Sequence, residues 1–244
     1  MNHLPFRSGH SMPETFTPHV VRLPAAQRQL WPQLRPLVQQ GMVLHGGTAI
    51  ALRLGHRESV DFDYFTHRPL DRAALLAAFP RFASATIIQD EPNSLTGMIP
   101  GSGGEVKISF FGTIRFGRVG EPQTTDDGVA VVASLLDLLA QKLKTVMQRI
   151  EAKDYQDIAA LLRAGVSLDA GMAGAMALYG GQFSPLECAR ALVYFKDRVL
   201  ALLPSADRRF LLDAVRGLHA ISRSLYPATI LSSSLTASSR AAGE

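Results

Sequence analysis

Residues 46–65, GGTAIALRLGHRESVDFDYF, constrain this chain more than any other stretch of it. The run joins a Gly-Gly turn to a short helix, a basic elbow at His56 and Arg57, and a strand carrying Asp61 and Asp63. Along a strand, residues i and i+2 lie on one face, roughly 6–7 Å apart. Both carboxylates of Asp-Phe-Asp therefore point one way, while Val60, Phe62 and Tyr64 point the other. Neighbouring carboxylates repel unless a divalent cation lies between them or one is protonated. Mg²⁺ accepts such oxygens and takes its remaining ligands from water and substrate phosphates. The arrangement reads as a metal and nucleotide site. The plainer alternative is a tight turn followed by a solvated strand end.

The preceding residues supply the complement to a carboxylate pair. Residues 42–45 predict a short strand, and Thr48 opens a helix over residues 49–54. Glycine lets a backbone approach a ligand closely, and free N–H groups at a helix start attract phosphate oxygens. Gly46 and Gly47 are thus candidates to cradle phosphate, with Thr48 placed to add a hydroxyl. Ser59 precedes Asp61 by two and shares its face, where it contacts a terminal phosphate or merely ends the turn. His45 is open in the same way, between touching a ligand and packing at a strand end.

The rest of the chain divides by pattern. Residues 1–25 predict an irregular arm. Residues 26–40 have helical spacing at Leu30, Leu34 and Leu37, interrupted or restarted by Pro32 and Pro36. A helix over 70–79 follows, helped at its start by Asp71. Short strands are expected over 83–88, 95–99, 105–111 and 129–132, separated by segments rich in turn formers (DEPNS, PGSGG, GEPQTTDDG). Strands with helices on the sheet make an α+β or α/β unit over residues 26–132. From Ser134 onward, Leu135, Leu136, Leu139, Leu143, Val146 and Ile150 recur at helical spacing, with Lys142, Lys144 and Arg149 interspersed. Helices over 154–163, 168–178, 185–202 and 207–222 complete a helical part, residues 133–226, that closes the nucleotide cleft. Residues 227–244 are small and polar, the composition of a disordered tail.

These motifs resemble the nucleotidyltransferase toxins of the AbiEii/AbiGii family, within the polymerase-β-like nucleotidyltransferase superfamily. Three blocks across residues 43–162 carry the resemblance: residues 46–63, the strand at 105–111, and LLDLLAQKLKTVMQRIEAKDYQDIAALL with Lys142, Arg149, Lys153, Asp154 and Asp157. It implies a polymerase-β-like core with a mixed sheet, followed by a helical C-terminal domain. It implies NTP binding with Mg²⁺ or Mn²⁺ at Asp61 and Asp63, and transfer of a nucleotidyl group to an acceptor. For some relatives that acceptor is the acceptor end of tRNA, and a protein acceptor is the other option. A separately encoded antitoxin is the implied partner. On the same resemblance Lys142 joins Asp61 and Asp63 as a catalytic residue, and Arg57 and Lys142 neutralise charge as pyrophosphate leaves. Asp154 or Asp157 orients base or ribose, or braces Lys142 and Arg57 by a salt bridge. Spacing alone reads these charges equally as a solvated helix face, and Asp154 as a helix start.

The second block departs from the superfamily pattern. The resemblance implies a third carboxylate on the strand beside Asp-x-Asp, completing a two-metal arrangement. That strand here reads Glu105-Val106-Lys107-Ile108-Ser109-Phe110-Phe111. Lys107 or Ser109 holds the acid's position, and Glu105 lies roughly 13 Å along the strand from Ser109. Lys107 either faces phosphate or is a solvated strand lysine. One Mg²⁺ then suffices with the nucleotide's own phosphates, or Glu105, Asp126 or Asp127 moves in. The remaining alternative is a degenerate nucleotidyltransferase-like protein that binds or regulates without turnover. A metal-dependent phosphohydrolase is a less favoured enzyme reading.

Gross composition agrees with these expectations without dictating them. At 47% hydrophobic, the 244 residues support a substantial core in one domain with an appendage or in two small domains. A net charge of +4 and a pI near 9.5 suit phosphate-rich partners. The single cysteine, Cys188, excludes an intramolecular disulfide, suits a reducing compartment and reads as a core thiol. No stretch approaches the ~18–20 uninterrupted apolar residues of a membrane span, and residues 1–25 hold no long apolar signal segment. A cytoplasmic enzyme with no membrane partner is the expectation.

Overall fold

The computed structural model describes residues 15–218 and 230–231. Its frame is one mixed eight-stranded sheet, and with its helices the fold is α+β, as the patterns predict. The strands are β1 (Thr15–Phe16), β2 (Val43–His45), β3 (Asp61–Phe65), β4 (Thr86–Glu91), β5 (Ser94–Gly101), β6 (Gly104–Phe111), β7 (Gln123–Thr125) and β8 (Val131–Val132), in the order β1-β7-β8-β2-β3-β6-β5-β4. Central β3 runs antiparallel to β2 and parallel to β6. Parallel neighbours need a long crossover, and helix α3 (Arg72–Ala78) with the β4–β5 pair fills the interval from β3 to β6.

Alternation along β3 sorts its residues into two environments. Phe62 and Tyr64, with Val106, Ile108 and Phe110 of β6, are buried on one face. Trp31 stacks on Phe62 with centroids 6.1 Å apart, Tyr64 stacks on Phe110 at 5.8 Å, and Phe82 meets Phe110 edge-on at 5.3 Å. Each such side chain taken out of water contributes roughly 1.5–3 kcal/mol, so this face anchors the strand. Around it lie α1 (Ala25–Leu30), a 3₁₀ helix (Trp31–Val38) and a 3₁₀ turn (Pro80–Ser84). On the other face, β3 presents Asp61, Asp63 and Phe65 to a cleft that α4 (Leu135–Thr145) also lines. The remaining helices are α2 (Gly46–Leu54), α3 (Arg72–Ala78), α5 (Ala152–Arg163), α6 (Leu168–Tyr179), α7 (Pro185–Val193) and α8 (Ser205–Arg216). α2 packs on α4 and α5, and α6 packs on α4.

α4 shows why its sequence winds this way. Ser134 caps it, Oγ accepting the Asp137 N–H at 3.0 Å, while Leu138, Leu139 and Leu143 bury its apolar side. Lys142 and Lys144 fall in the last turn, where the helix dipole favours cations.

Some expected boundaries move, each for a local reason. Gly46 and Gly47 are the first residues of α2 rather than a separate turn. The helix expected over 26–40 is α only through Leu30; Pro32 and Pro36 each lack an N–H, and the chain continues as 3₁₀. The strand expected over 83–88 is β4, Thr86–Glu91, because Pro80–Ser84 winds into a turn. β7 lies in a segment expected to be turn, and Thr15–Phe16, in the expected irregular arm, pairs parallel with it. The helix expected over 185–202 ends at Val193 and is followed by a 3₁₀ turn at Arg198–Leu202, where Asp197 Oδ1 accepts the Val199 N–H. Val60, expected beside Phe62 on the apolar face, precedes β3 and is 60% exposed. Residues 1–14 of the arm, 219–222 of the last expected helix and most of the expected tail lie outside the described residues. No described helix is long and apolar enough to cross a membrane alone.

Candidate active site

β3 sets Asp61 and Asp63 along a cleft of about 530 Å³. Gly46 and Gly47, at the start of α2, line it too, as do Leu138, Gln141, Lys142 and Thr145 of α4, which recur at the spacing of one helix face. Gly46 has φ +75°, and a Cβ there would lie 2.7 Å from Asp63 Oδ2. Only glycine lets the helix begin this close to the carboxylate. A Cβ on Gly47 would meet Arg57 Nη2 at 2.5 Å. His45, at the N-cap, makes no side-chain capping bond, so the first-turn N–H groups of α2 gain no acceptor from it.

Two buried carboxylates on α5 hold Lys142, Arg57 and Arg149, three of the cations that line the cleft. Asp157 accepts from His56 Nε2 at 2.7 Å and from Arg57 Nε and Nη2 at 2.7 and 2.8 Å, and pairs with Lys142 Nζ at 2.7 Å. Asp154 pairs with Lys142 at 2.6 Å and accepts from Arg149 Nε at 3.0 Å. Both carboxylates are fully buried. Burial alone would raise the Asp157 pKa, but hydrogen bonds from His56 and Arg57 and the Lys142 charge outweigh it and hold the carboxyl well below the usual range. Of the two roles implied for Asp157, the geometry has it bracing Lys142 and Arg57. Lys142 and Arg57 line the cleft.

Asp63 is perturbed the opposite way. Burial first, then the Asp61 charge, push its carboxyl pKa up; Lys107, a hydrogen bond with Ser109, and Lys142 oppose this without cancelling it. An ionised pair disfavoured in this manner fits a hard divalent cation, whose charge would relieve both terms. The β3–β6 register sets Lys107 beside Asp61 and Ser109 beside Asp63. Lys107 Nζ lies 3.9 Å from Asp61 Oδ2, and Ser109 is buried. Among the described residues, no group of three or more His, Cys, Asp or Glu is arranged to hold a metal. Glu105 is exposed opposite Pro100 of β5. Asp126 accepts from Thr17, and Asp127 accepts from Trp31 Nε1 at 2.7 Å and the Val129 N–H at 3.1 Å. None of the three lines the cleft.

Thr48 is 1% exposed, and its hydroxyl donates to the Asp61 carbonyl and lies 2.9 Å from the Ser59 hydroxyl. Through that hydroxyl Thr48 ties α2 to β3. Ser59 is nearly buried but still lines the cleft, whereas Lys107 stands beside Asp61 without lining it. The structure adds groups the sequence reading did not single out. Phe65, Phe116 and Tyr179 form an aromatic wall, with successive centroids 6.2 and 5.6 Å apart. Phe65 was within reach of the alternation argument, being two residues past Asp63. Phe116 and Tyr179 arrive from a loop and from the end of α6, and local spacing carries no sign of them. His45 is buried, its pKa pushed down to about 4 by that burial and only partly restored by its hydrogen bond with Gln141, so the ring is neutral.

A family model described as nucleotidyl transferase AbiEii toxin, type IV toxin–antitoxin system, matches residues 33–223. The uncharacterized protein aq_aa25 of Aquifex aeolicus is 30% identical over 122 residues, 49% of this chain and 57% of that protein, so the chain spans little more than half of that relative's length. Among solved structures, a candidate nucleotidyltransferase from H. pylori superposes with a TM-score of 0.52 at 16% identity, covering 78% of this chain and 91% of that one. MenT4, a nucleotidyltransferase toxin from Mycobacterium tuberculosis, superposes with a TM-score of 0.54 at 14% identity, covering 79% and 83%. At such identities the two structures share the fold. The family match spans most of the chain, including the glycines that open α2, the aspartate strand and the Lys142–Asp157 helices, and the chain belongs to the nucleotidyl transferase AbiEii toxin family.

Proposed function

We propose that this chain is a Mg²⁺- or Mn²⁺-dependent nucleotidyltransferase that moves a nucleotidyl group from an NTP to an acceptor hydroxyl, on tRNA or on a protein. We read it as the cytoplasmic toxin of a pair, restrained by its antitoxin. The observation that carries this is the meeting, in one cleft, of Asp61 and Asp63 with Gly46, Gly47 and two cations clamped by Asp157. Residues 26–132 would form the nucleotidyltransferase part, closed over by the helices of 133–226.

In this reading the N–H groups at the start of α2 receive phosphate oxygens, and the aromatic wall receives the base. Asp61 and Asp63 would hold the cation, which when bound supplies Lewis-acid polarisation of the phosphate. The acceptor hydroxyl gives its proton to water as its oxygen attacks the α-phosphorus, the bond from that phosphorus to the bridging oxygen breaks, and pyrophosphate leaves with the electron pair. Lys142 and Arg57 meet the growing negative charge already oriented, because Asp157 and Asp154 hold them before any ligand arrives. Catalysis is then positioning and preorganised electrostatics.

Incubation with labelled NTPs, Mg²⁺ and total tRNA tests the reading. Label should move to the acceptor with release of pyrophosphate, and Asp61→Asn should abolish transfer and weaken metal-dependent NTP binding. The register that sets Lys107 and Ser109 beside the aspartates favours a second reading, binding without turnover. Tight nucleotide binding with no labelled acceptor, RNA or protein, would select it.

A further inference from the structure

The cleft holds a polar group that the phosphate and metal roles leave unused. Gln141 precedes Lys142 on α4 and lines the cleft. Its Oε1 lies 3.0 Å from His45 Nδ1, while its amide Nε2 is buried with no protein partner. His45 is 2% exposed, held at the end of β2 and edge-on to Phe65 with centroids 4.9 Å apart. A neutral imidazole carries a single N–H. With that hydrogen on Nδ1, His45 donates to Gln141 Oε1, and the Gln141 NH₂ is the end left over. With the hydrogen on Nε2 alone, Nδ1 and Oε1 would face each other at 3.0 Å as two acceptors, so the contact requires the hydrogen on Nδ1. His45 therefore sets which end of the amide is free, and that end is a donor.

A buried donor without a partner on the wall of a cleft marks where a ligand places an acceptor. The phosphate chain already has Lys142, Arg57 and the start of α2. Gln141 is instead bonded to the ring that packs on Phe65, the first member of the aromatic wall. We propose that Gln141, oriented by His45, determines nucleotide specificity by donating its amide hydrogen to an oxygen on the nucleoside half of the substrate, a base carbonyl or a ribose hydroxyl. The inference rests on the nucleotide reading above. Gln141 is the contacting group, and His45 is a positioning residue that acts through it.

Calorimetry on the full chain, with Mg²⁺ and each of the four NTPs, their 2′-deoxy counterparts and inorganic triphosphate, tests this. Gln141→Leu keeps the bulk and removes the donor. It should weaken binding of the preferred NTP tenfold or more and leave inorganic triphosphate as in the unmodified protein. His45→Phe keeps an aromatic edge against Phe65 and removes the Nδ1–H; it should cause a smaller loss with the same NTP selectivity. The side-chain amide resonances of Gln141 should shift on addition of NTP and stay put with triphosphate, which a merely structural glutamine would not do. An effect that persists with the deoxy counterpart assigns the acceptor to the base, and one that disappears assigns it to the ribose; both uphold the proposal. If Gln141→Leu fails to fold, Gln141→Met, of similar length, uncharged and without the donor, must show the same selective loss. Unchanged NTP affinity, or equal loss for NTP and triphosphate, overturns the inference alone. An unmodified protein that binds neither probe overturns the nucleotide reading and this inference with it.

Discussion

Asp157→Asn removes one charge from the centre of the cation network and nearly nothing from its volume. Asp157 is fully buried and serves His56, Arg57 and Lys142 at once. Removing one member of a buried ion pair costs about 3–5 kcal/mol, because the partner's charge is left without compensation. Here Lys142 keeps Asp154 at 2.6 Å, and Arg57 keeps the Glu58 carbonyl at 2.8 Å, which places the cost near the lower end. A loss of about 3 kcal/mol lowers the melting temperature by about 6–12 °C for a chain of this size. At a urea slope of about 3 kcal/mol/M it moves the midpoint down by about 1 M. Urea and thermal melts followed by circular dichroism measure both. The pH dependence adds a second constraint. Hydrogen bonds and neighbouring cations hold the folded Asp157 pKa below its unfolded value, overcoming the effect of burial. Its stabilisation is therefore present above the unfolded carboxylate pKa near 4 and is lost as pH falls through the lower folded value. The gap between the unmodified protein and Asp157→Asn should be full at pH 7 and close in strong acid. An unchanged midpoint at pH 7, with NTP binding intact, would refute the claim that this carboxylate holds Lys142 and Arg57 in place.

Gly47→Val should weaken NTP binding even without metal and also lower stability, since its Cβ would fall 2.5 Å from an Arg57 guanidinium that Asp157 holds in position; calorimetry with and without Mg²⁺ separates this from a metal effect. Lys107→Met should slow transfer about tenfold. Its charge beside Asp61 contributes about 4 kcal/mol by Coulomb's law at an effective dielectric near 20, solvent screening of a side chain 40% exposed removes most of that, and about 1.4 kcal/mol is one decade in rate. Glu105→Gln should leave turnover unchanged in the same assay, because Glu105 is exposed on β6 and is not among the residues lining the cleft; the reverse ranking of these two variants would show that Glu105 reaches the metal.

The β3 half of the site was legible because a period of two needs only local sequence. Asp61 and Asp63 share a face, and Phe62 and Tyr64 are buried on the other, for the same steric reason. Phe65 obeys that period too, yet an aromatic residue at a strand end reads as core until a cleft is seen beneath it. The partners of Thr48 were hidden for a related reason. A hydroxyl near a helix start looks available in sequence, whereas the return of the chain at Ser59 and Asp61 captures it. The pairing of Asp157 with Arg57 spans 100 residues, and spacing within α5 shows only that Asp154 and Asp157 share a face. A shared face allows a bracing role but does not name the cations that would be braced across such a distance. Gln141, Phe116 and Tyr179 had no signal at all, since what matters about them is which distant elements they meet.

The clamp also explains how a cleft can hold so many cations before any phosphate enters. Lys142, Arg57 and Arg149 face two buried carboxylates, Asp154 and Asp157, Arg149 pairs with Glu151 as well, and no cation in this cluster lacks a carboxylate partner. An arginine or lysine left alone there would swing toward water and would have to be re-ordered at each binding event, at a cost in side-chain entropy. The carboxylates remove that cost in advance, and they do so from α5, whereas Arg57 lies on the elbow after α2. The same bonds that aim the cations therefore fasten helix α5 to the sheet side of the cleft. Substitutions that loosen the clamp should lower stability and phosphate affinity together, whereas substitutions at Gln141 or Lys107, which lie outside it, should separate the two.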